Sequence, residues 1–134
     1  MDKKRITLIR ICFAAYLAAL VYLCFHSFSS LPVVRADFFG IPTDKLVHFV
    51  MFLPFPLLMF LSMRVDTSSK ARTFLFIALS FILGCATGAA TEFIQGITPS
   101  RTPDIKDFYA DILGCLVSAS ISCLIFIRNG KKRK

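Results

Sequence analysis

Residues 91–114 read TEFIQGITPSRTPDIKDFYADILG, and they join two long apolar runs at 73–91 and 112–127. This arrangement predicts a membrane hairpin whose short turn lies at the lipid boundary. An ionisable group at that boundary needs a partner or a function, because charge near hydrocarbon is costly. The stretch therefore predicts the fold class and marks a candidate site.

The composition supports a membrane protein. Of the 134 residues, 56% are hydrophobic and only 18% are charged, and the mean hydropathy is +0.70. Four apolar segments of about 20 residues, the length that spans a bilayer, cover 8–28, 46–63, 73–94 and 108–127. They are continuously apolar and lack the alternation of a membrane β-strand. We predict one all-α polytopic domain over 1–134 with four transmembrane helices.

Basic residues predict the orientation of the helices. Twelve precede the first segment, lie between the second and third, or follow the fourth: Lys3, Lys4, Arg5, Arg10, Arg64, Lys70, Arg72, Arg128, Lys131, Lys132, Arg133 and Lys134. Only four lie on the other side. The positive-inside rule then places both termini in the cytoplasm, and a multi-pass protein of the cytoplasmic (inner) membrane is expected. Lipid headgroups account for the +8 net charge, so we expect no nucleic acid partner.

Small residues and prolines predict how the helices pack. Gly84 and Gly88 form a Gly-x-x-x-Gly step, and small residues recur every four positions in the last segment, at 110, 114, 118 and 122. Both patterns allow close backbone approach, so the third and fourth segments should pack together. Pro54 and Pro56 predict that the second segment is kinked or unwound. The five cysteines have no Cys-x-x-Cys spacing and are interpreted as packing residues.

The topology brings polar residues of three segments to one layer. Glu92 and Gln95 share a face at the outer end of the third segment, and Asp107 and Asp111 share one at the start of the fourth. At the outer end of the second segment lie Asp44, Lys45 and His48. We predict a polar cluster on the extracytoplasmic side.

Structural interpretations compete with a functional one. Thr102, Pro103 and Asp104 resemble an N-cap, a first-turn proline and an acid that complements the helix dipole. Asp44 likewise suits a helix start. Glu92 must be protonated or paired, with Arg101 or Lys45 as the candidate partner, and a Glu92–Arg101 ion pair alone would hold the hairpin shut.

These residues resemble the VanZ-like family of small membrane proteins. D-K-x-x-H-F at 44–49 is followed by E-x-x-Q at 92–95, Arg101 and D-x-x-A-D-x-x-G at 107–114. Family members typically carry the same order, with Asn where this chain has Asp111. The resemblance covers about residues 44–114. It implies a role in the cell envelope, since the namesake is linked to low-level resistance to the glycopeptide teicoplanin.

The first function hypothesis is binding. The resemblance implies an envelope ligand: membrane lipid, a lipid-linked cell-wall precursor or an amphiphilic glycopeptide. Arg101 and Lys45 suit a phosphate or carboxylate, which favours an anionic amphiphile. The candidate ligand-binding residues are Asp44, Lys45, His48, Glu92, Gln95, Arg101, Asp107 and Asp111.

Two alternatives remain open. His48, Glu92 and Asp107, with Asp111, are candidates to hold a divalent ion for hydrolysis or transfer at a lipid-linked phosphate, or His48 is the general acid or base with Asp44 or Glu92 orienting it. No metal-ligand motif supports a firm metal assignment, and the sequence indicates no particular cofactor. The other alternative is an interaction module for a second membrane protein. The sequence does not indicate an oligomeric state.

Overall fold

Four helical segments, one of them broken in the middle, form the protein. A computed structural model describes residues 3–25, 37–38, 40–97 and 104–129. The helices are α1 (Lys3–Phe25), α2 (Thr43–Phe52), α3 (Phe55–Ser62), α4 (Lys70–Gly96) and α5 (Ile105–Asn129). Four spans are long and apolar enough to cross a membrane: Lys3–Cys24, Thr43–Ser62, Lys70–Gly96 and Ile105–Phe126. This confirms the predicted all-α fold with four membrane-spanning helices, while the cytoplasmic position of the termini stays a prediction.

A very short strand pair precedes α2. Strands β1 (Asp37–Phe38) and β2 (Ile41–Pro42) are antiparallel, with Asp37 opposite Pro42 and Phe38 opposite Ile41. Gly40 has a φ of 78° in the connecting turn, a conformation that glycine adopts without strain. Strand β2 then leads the chain directly into Thr43, the first residue of α2.

The second span breaks at Leu53 and Pro54, between α2 and α3. Pro54 and Pro56 have no backbone N–H to donate, so carbonyl groups one turn earlier lose their helical hydrogen-bond partners. Neighbouring helices supply donors at the break. The Tyr16 hydroxyl donates to the Met51 carbonyl over 2.6 Å, and the Cys115 thiol donates to the Phe52 carbonyl over 3.7 Å. The predicted interruption is therefore held by α1 and α5, as a break inside a membrane requires.

Two apolar clusters hold the bundle together. One contains Leu20, Cys24, Phe52 and Cys115, and the other contains Phe60, Ile77 and Ala119. Large apolar side chains also cover the outside, for example Leu75 at 64% exposure. An apolar exterior suits contact with lipid chains, which are as apolar as the core.

Glycines set the close contacts. A Cβ added at Gly84 would lie 2.7 Å from the Cys115 sulfur, and one at Gly88 would lie 3.1 Å from Asp111 Cβ, so the predicted contact of α4 with α5 is confirmed. A Cβ at Gly114 would instead overlap the Phe49 carbonyl oxygen of α2. The small residues of α5 therefore serve two neighbours, and Gly114 brings α2 and α5 together beside the polar residues.

Candidate functional site

Three helix ends meet at one end of the bundle. The start of α2, the end of α4 and the start of α5 bring together seven side chains, named here the polar cluster: Asp44, Lys45, His48, Glu92, Asp104, Asp107 and Asp111. Five are carboxylates, against one lysine and one histidine. The cluster is therefore strongly acidic, which the sequence interpretation of an anion site did not emphasise.

Lys45 is held by three carboxylates. Its Nζ atom donates to Asp104 Oδ2 and to Asp107 Oδ1, both at 2.8 Å, and to Asp44 Oδ2 at 3.0 Å. The lysine side chain is 17% exposed and Asp107 15%, whereas Asp44 is 57% exposed. Charge-assisted bonds of this length are among the stronger ones in proteins. Lys45 thus joins α2 to the first turn of α5.

Asp104 has a second bond at the start of α5. Its Oδ1 atom accepts from the Lys106 backbone N–H over 2.9 Å, which is the N-cap arrangement. The ammonium of Lys45 and this N–H hold the pKa of Asp104 below its ordinary value of 3.8. Asp104 is therefore both the helix cap and a partner of Lys45. The predicted cap residue, Thr102, lies outside the described residues.

His48 pairs with Asp111 in the buried part of the cluster. His48 Nδ1 lies 3.0 Å from Asp111 Oδ1, and the two residues are 7% and 0% exposed. When Asp111 is ionised and His48 is neutral, Nδ1 carries the hydrogen of this contact and Nε2 presents its lone pair. Nε2 is 3.9 Å from Asp107 Oδ2. Asp111 orients His48, the role that the sequence analysis gave to Asp44 or Glu92.

Glu92 is buried without a hydrogen-bond partner among the described residues. The residue is 8% exposed, and neither carboxylate oxygen accepts a hydrogen bond of standard length and angle there. The backbone N–H of Asp104 is a weaker favourable contact. Its Oε1 atom lies 3.9 Å from His48 Nδ1, which is too far for a hydrogen bond. Lys45, one candidate partner, bonds to other carboxylates. Arg101, the other candidate, lies outside the described residues.

Gln95 has a different neighbour. It is 4% exposed, and its Nε2 atom donates to the Cys24 carbonyl over 3.0 Å. That carbonyl belongs to the last turn of α1, where helix carbonyls need outside donors. Gln95 therefore fastens α1 to α4 beside the cluster, and its role in ligand binding stays a prediction.

Asp104 is the site residue that sequence reasoning treated as purely structural. Its spacing from Asp107 and Asp111, three and then four residues, places all three acids on one face of α5. That regular spacing was the available signal. The pairing of His48 with Asp111 had no comparable signal, because it depends on how α2 and α5 are rotated.

Within the described part of the chain, two groups of side chains have the geometry to surround a cation. His48, Glu92 and Asp107 each offer one ligand atom, and these atoms lie within 4.8 Å of one another. Asp44, Asp104 and Asp107 meet the same criterion, but the Lys45 ammonium already lies at their centre. The first group is the candidate metal centre.

An apolar groove adjoins the cluster. It has a volume of about 520 Å³ and is lined by Glu92, Phe93, Gly96, Ile97 and Ile105. Phe93 and Ile97 are 72% and 70% exposed, so the groove is open on this side. It places apolar side chains next to the Glu92 carboxylate.

Comparison with known proteins identifies the family. The family model described as VanZ/LLP1 matches residues 13–126, which include every described residue of the cluster. No curated protein and no solved structure matches this chain. The matched region covers all four membrane spans except the first turns of α1. The chain therefore belongs to the VanZ/LLP1 family and is a VanZ-like multi-pass membrane protein.

Proposed function

We propose that this VanZ-like protein binds the headgroup of an amphiphilic cell-envelope component in its polar cluster, with the hydrocarbon tail in the adjoining groove. The cluster would face the extracytoplasmic side. The observation that carries the proposal is the position of Glu92, which lines the groove and keeps a buried carboxylate without a hydrogen bond from the described residues. A buried carboxylate normally has a partner, and a ligand entering through the groove would supply one.

The charge of the cluster limits the kinds of headgroup that it can bind. Five carboxylates surround Lys45 and His48, so hydroxyl, amino and cationic groups are the natural contacts. A purely anionic headgroup needs additional positive charge. Arg101 is one source, because its planar guanidinium forms paired bonds to phosphate. We therefore propose an anionic amphiphile that also carries hydroxyl or amino groups, as a lipid-linked cell-wall precursor or a glycopeptide does.

A link to teicoplanin-type resistance is part of this proposal and follows from family membership alone. A protein that holds a lipid-linked precursor or the glycopeptide itself would reduce encounters between the two. Expression of the wild-type chain in a sensitive bacterium should raise the teicoplanin concentration that stops growth, and Glu92→Gln should abolish the increase.

Direct binding tests the proposal. The purified protein in phosphatidylcholine nanodiscs is titrated with a polyprenyl phosphate that carries a sugar headgroup and, separately, with teicoplanin. We expect Glu92→Gln and Asp107→Asn to weaken binding at least about tenfold, the effect of losing roughly 1.4 kcal/mol. Asp66→Asn, which removes an exposed carboxylate at the other end of the bundle, is the matched control and should bind like wild type.

The groove has its own test. Ile97→Ser makes the groove wall polar and should weaken binding of the long-chain ligand more than that of a short-chain analogue. Leu75→Ser makes the same kind of change at a lipid-facing position near the start of α4 and should have no effect. Equal binding by every variant, or no binding by wild type, would refute the proposal.

The His48–Asp111 pair favours a second candidate, hydrolysis of a lipid-linked pyrophosphate. His48 Nε2 would take a proton from a water molecule while the oxygen of that water attacks phosphorus. The bond between this phosphorus and the bridging oxygen would then break. Asp111 would orient the imidazole and stabilise its protonated form. Release of inorganic phosphate from a polyprenyl pyrophosphate, lost in a folded His48→Ala protein, would establish this activity.

An interaction module without a ligand predicts a different result. If Glu92 and Arg101 form only a structural ion pair, the exchange Glu92→Arg with Arg101→Glu should restore full function. In a ligand-binding site, the acid at position 92 and the guanidinium at position 101 are not interchangeable. We expect the exchanged protein to fold but to remain unable to bind.

A further inference from the structure

We infer that His48, Glu92 and Asp107 bind a divalent transition-metal cation at the boundary between the polar cluster and the groove. The inference goes beyond ligand binding, because it assigns a class of metal ion to three named side chains. It depends on the geometry of three side chains from three helices and on a buried carboxylate that no described residue satisfies.

The distances suit a cation. One ligand atom from each of the three residues lies within 4.8 Å of the other two. His48 approaches Asp107 Oδ2 with Nε2 and Glu92 Oε1 with Nδ1, each at 3.9 Å. These separations are too long for hydrogen bonds among the groups themselves. Donor atoms around an ion with bonds of about 2.1 Å lie roughly 3 to 3.5 Å apart. Side-chain adjustments of about an ångström would therefore complete the coordination.

Asp111 prepares His48 as a ligand. His48 Nδ1 lies 3.0 Å from Asp111 Oδ1, and a neutral imidazole that donates its Nδ1 hydrogen there presents the Nε2 lone pair on the side of Asp107. A carboxylate that holds the second nitrogen of a metal-binding histidine fixes the tautomer and the ring orientation. Asp111 is fully buried, and α4 makes room for it with Gly88, where a Cβ would approach Asp111 Oδ2 to 3.1 Å.

Lys45 orients Asp107 as a second ligand. Asp107 uses Oδ1 for the lysine ammonium at 2.8 Å and directs Oδ2 towards His48. The two oxygens are therefore assigned to different partners. The neighbouring acids Asp44 and Asp104 bind the same ammonium, so they hold Lys45 in place and do not compete for the ion.

Glu92 is the independent indication of a ligand. Both of its oxygens are buried, and neither accepts a hydrogen bond from a described residue. Burial of an ionised carboxylate without a partner is strongly unfavourable. A divalent cation between Glu92, Asp107 and His48 would satisfy it and offset much of the negative charge of the cluster.

The donor set indicates the kind of ion. One imidazole and two carboxylates suit Zn²⁺ or Mn²⁺, whereas Ca²⁺ prefers six to eight oxygens. The ion would also supply the positive charge that an anionic headgroup needs, and this last step rests on the proposed function. A phosphate oxygen could then complete the coordination from the groove side.

The experiment uses full-length protein in phosphatidylcholine nanodiscs, stripped with a chelator and dialysed. Mn²⁺ is titrated and followed by electron paramagnetic resonance, and Zn²⁺ is measured by competition. We expect one site per chain in wild type, a loss of affinity of at least about 100-fold in Glu92→Gln and Asp107→Asn, and about 10- to 100-fold in Asp111→Asn, which alters only the histidine orientation. Asp66→Asn should retain the site.

Folding is checked separately, so that a misfolded variant cannot imitate a lost ligand. Glu92→Gln and Asp107→Asn keep the shape of the side chain, and each must show the wild-type helical circular dichroism and elution profile. A wild-type protein that binds no ion, or variants that bind as wild type does, would overturn the inference. Binding of several ions with equal affinity in Asp66→Asn and Glu92→Gln would identify an adventitious site and also overturn it.

The same preparation separates this inference from the proposed function. Polyprenyl phosphate is titrated with and without Mn²⁺. Ion binding without lipid-phosphate binding would support the metal site and refute the anionic ligand. Lipid-phosphate binding that is unchanged by chelation, in a protein that holds no ion, would support the ligand and refute the metal site.

Discussion

The two ends of the bundle use charged residues in different ways. At the basic end, Asp66 accepts from the Ser68 backbone and pairs with Arg72 at 3.3 Å, and both side chains of the pair are more than half exposed. At the other end, His48 and Asp111 form a pair that is almost completely buried. Water satisfies the first pair whether or not it forms. The second pair has no such alternative, and this difference separates a loop cap from a candidate site.

Packing makes the buried end possible. Gly114 lets the backbone of α5 approach Phe49 of α2 and Leu53 at the break that follows it, which brings Lys45 and His48 to the acids of α5. At the basic end, Arg10 on α1 donates to the Ser62 carbonyl, an exposed contact that needs no close backbone approach. The polar cluster therefore depends on a steric fit that the basic end does not require.

The largest effect is expected from Gly114→Leu. The new side chain would overlap the Phe49 carbonyl, and backbone cannot move aside as a flexible side chain can. The free energy of unfolding should fall by about 3 kcal/mol or more, the upper end of the cost of overpacking a core. Ser120→Leu places the same leucine side chain at an exposed position of α5 and should be nearly neutral. Similar losses in both proteins would contradict the proposed fit.

The chain has no tryptophan but has five cysteines, of which Cys24 and Cys115 are buried and Cys12 is exposed. A thiol-reactive fluorescent dye can therefore follow unfolding in a background in which Cys12 and the half-buried Cys85 and Cys123 are replaced by alanine. Labelling of the buried thiols reports loss of the α1, α2 and α5 packing, because both cysteines belong to that apolar cluster.

A double-mutant cycle compares the two ion pairs directly. The coupling between His48→Ala and Asp111→Ala should be about 1.5 to 3 kcal/mol, because one partner is charged and both are buried. The cycle of Arg72→Ala with Asp66→Ala should show no measurable coupling, as expected for exposed pairs. Equal coupling at the two ends would remove the distinction between them.

Lys45→Met should have a smaller effect and lower the free energy of unfolding by about 1 to 2 kcal/mol. Removal of the ammonium leaves Asp104 and Asp107 close together without a cation. Asp104→Asn in the same protein relieves this repulsion and should recover part of the loss. If the second substitution makes the protein less stable still, the lysine is not the group that holds these acids together.

The smallest expected effect is a gain at the basic end. Arg64 has a φ of 55° just after α3, a conformation that is unfavourable for a residue with a Cβ. Arg64→Gly should stabilise the protein by about 0.5 kcal/mol, since relief of the strain exceeds the entropic cost of glycine. A loss of stability would show that the arginine side chain makes a contribution larger than the backbone strain.

The sequence predicted the helices and the end at which polar residues gather, because long apolar runs and short loops determine both. Pro54 and Pro56 likewise predicted the interruption of the second span. The sequence did not predict which side chains of the site contact one another. His48 was assigned to Asp44 or Glu92 by spacing and topology, yet it contacts Asp111.

Helix rotation explains the difference. Successive residues turn about 100° around a helix, so a modest rotation of α5 would exchange Asp111 for another side chain. Gly114 fixes that rotation against α2, but its partner is a backbone carbonyl, which no sequence pattern identifies. The double role of Asp104 as cap and lysine partner arises from the same docking.

The most direct test of a pocket built for a ligand is the stability of Glu92→Gln in chelated, ligand-free nanodiscs. If Glu92 awaits a ligand, removal of its buried charge leaves the protein at least as stable as wild type, while binding of the polyprenyl phosphate or of Mn²⁺ is lost. If Glu92 is instead the anion of a structural clamp, Glu92→Gln unfolds far more easily, by about 3 kcal/mol or more. That result would contradict the account.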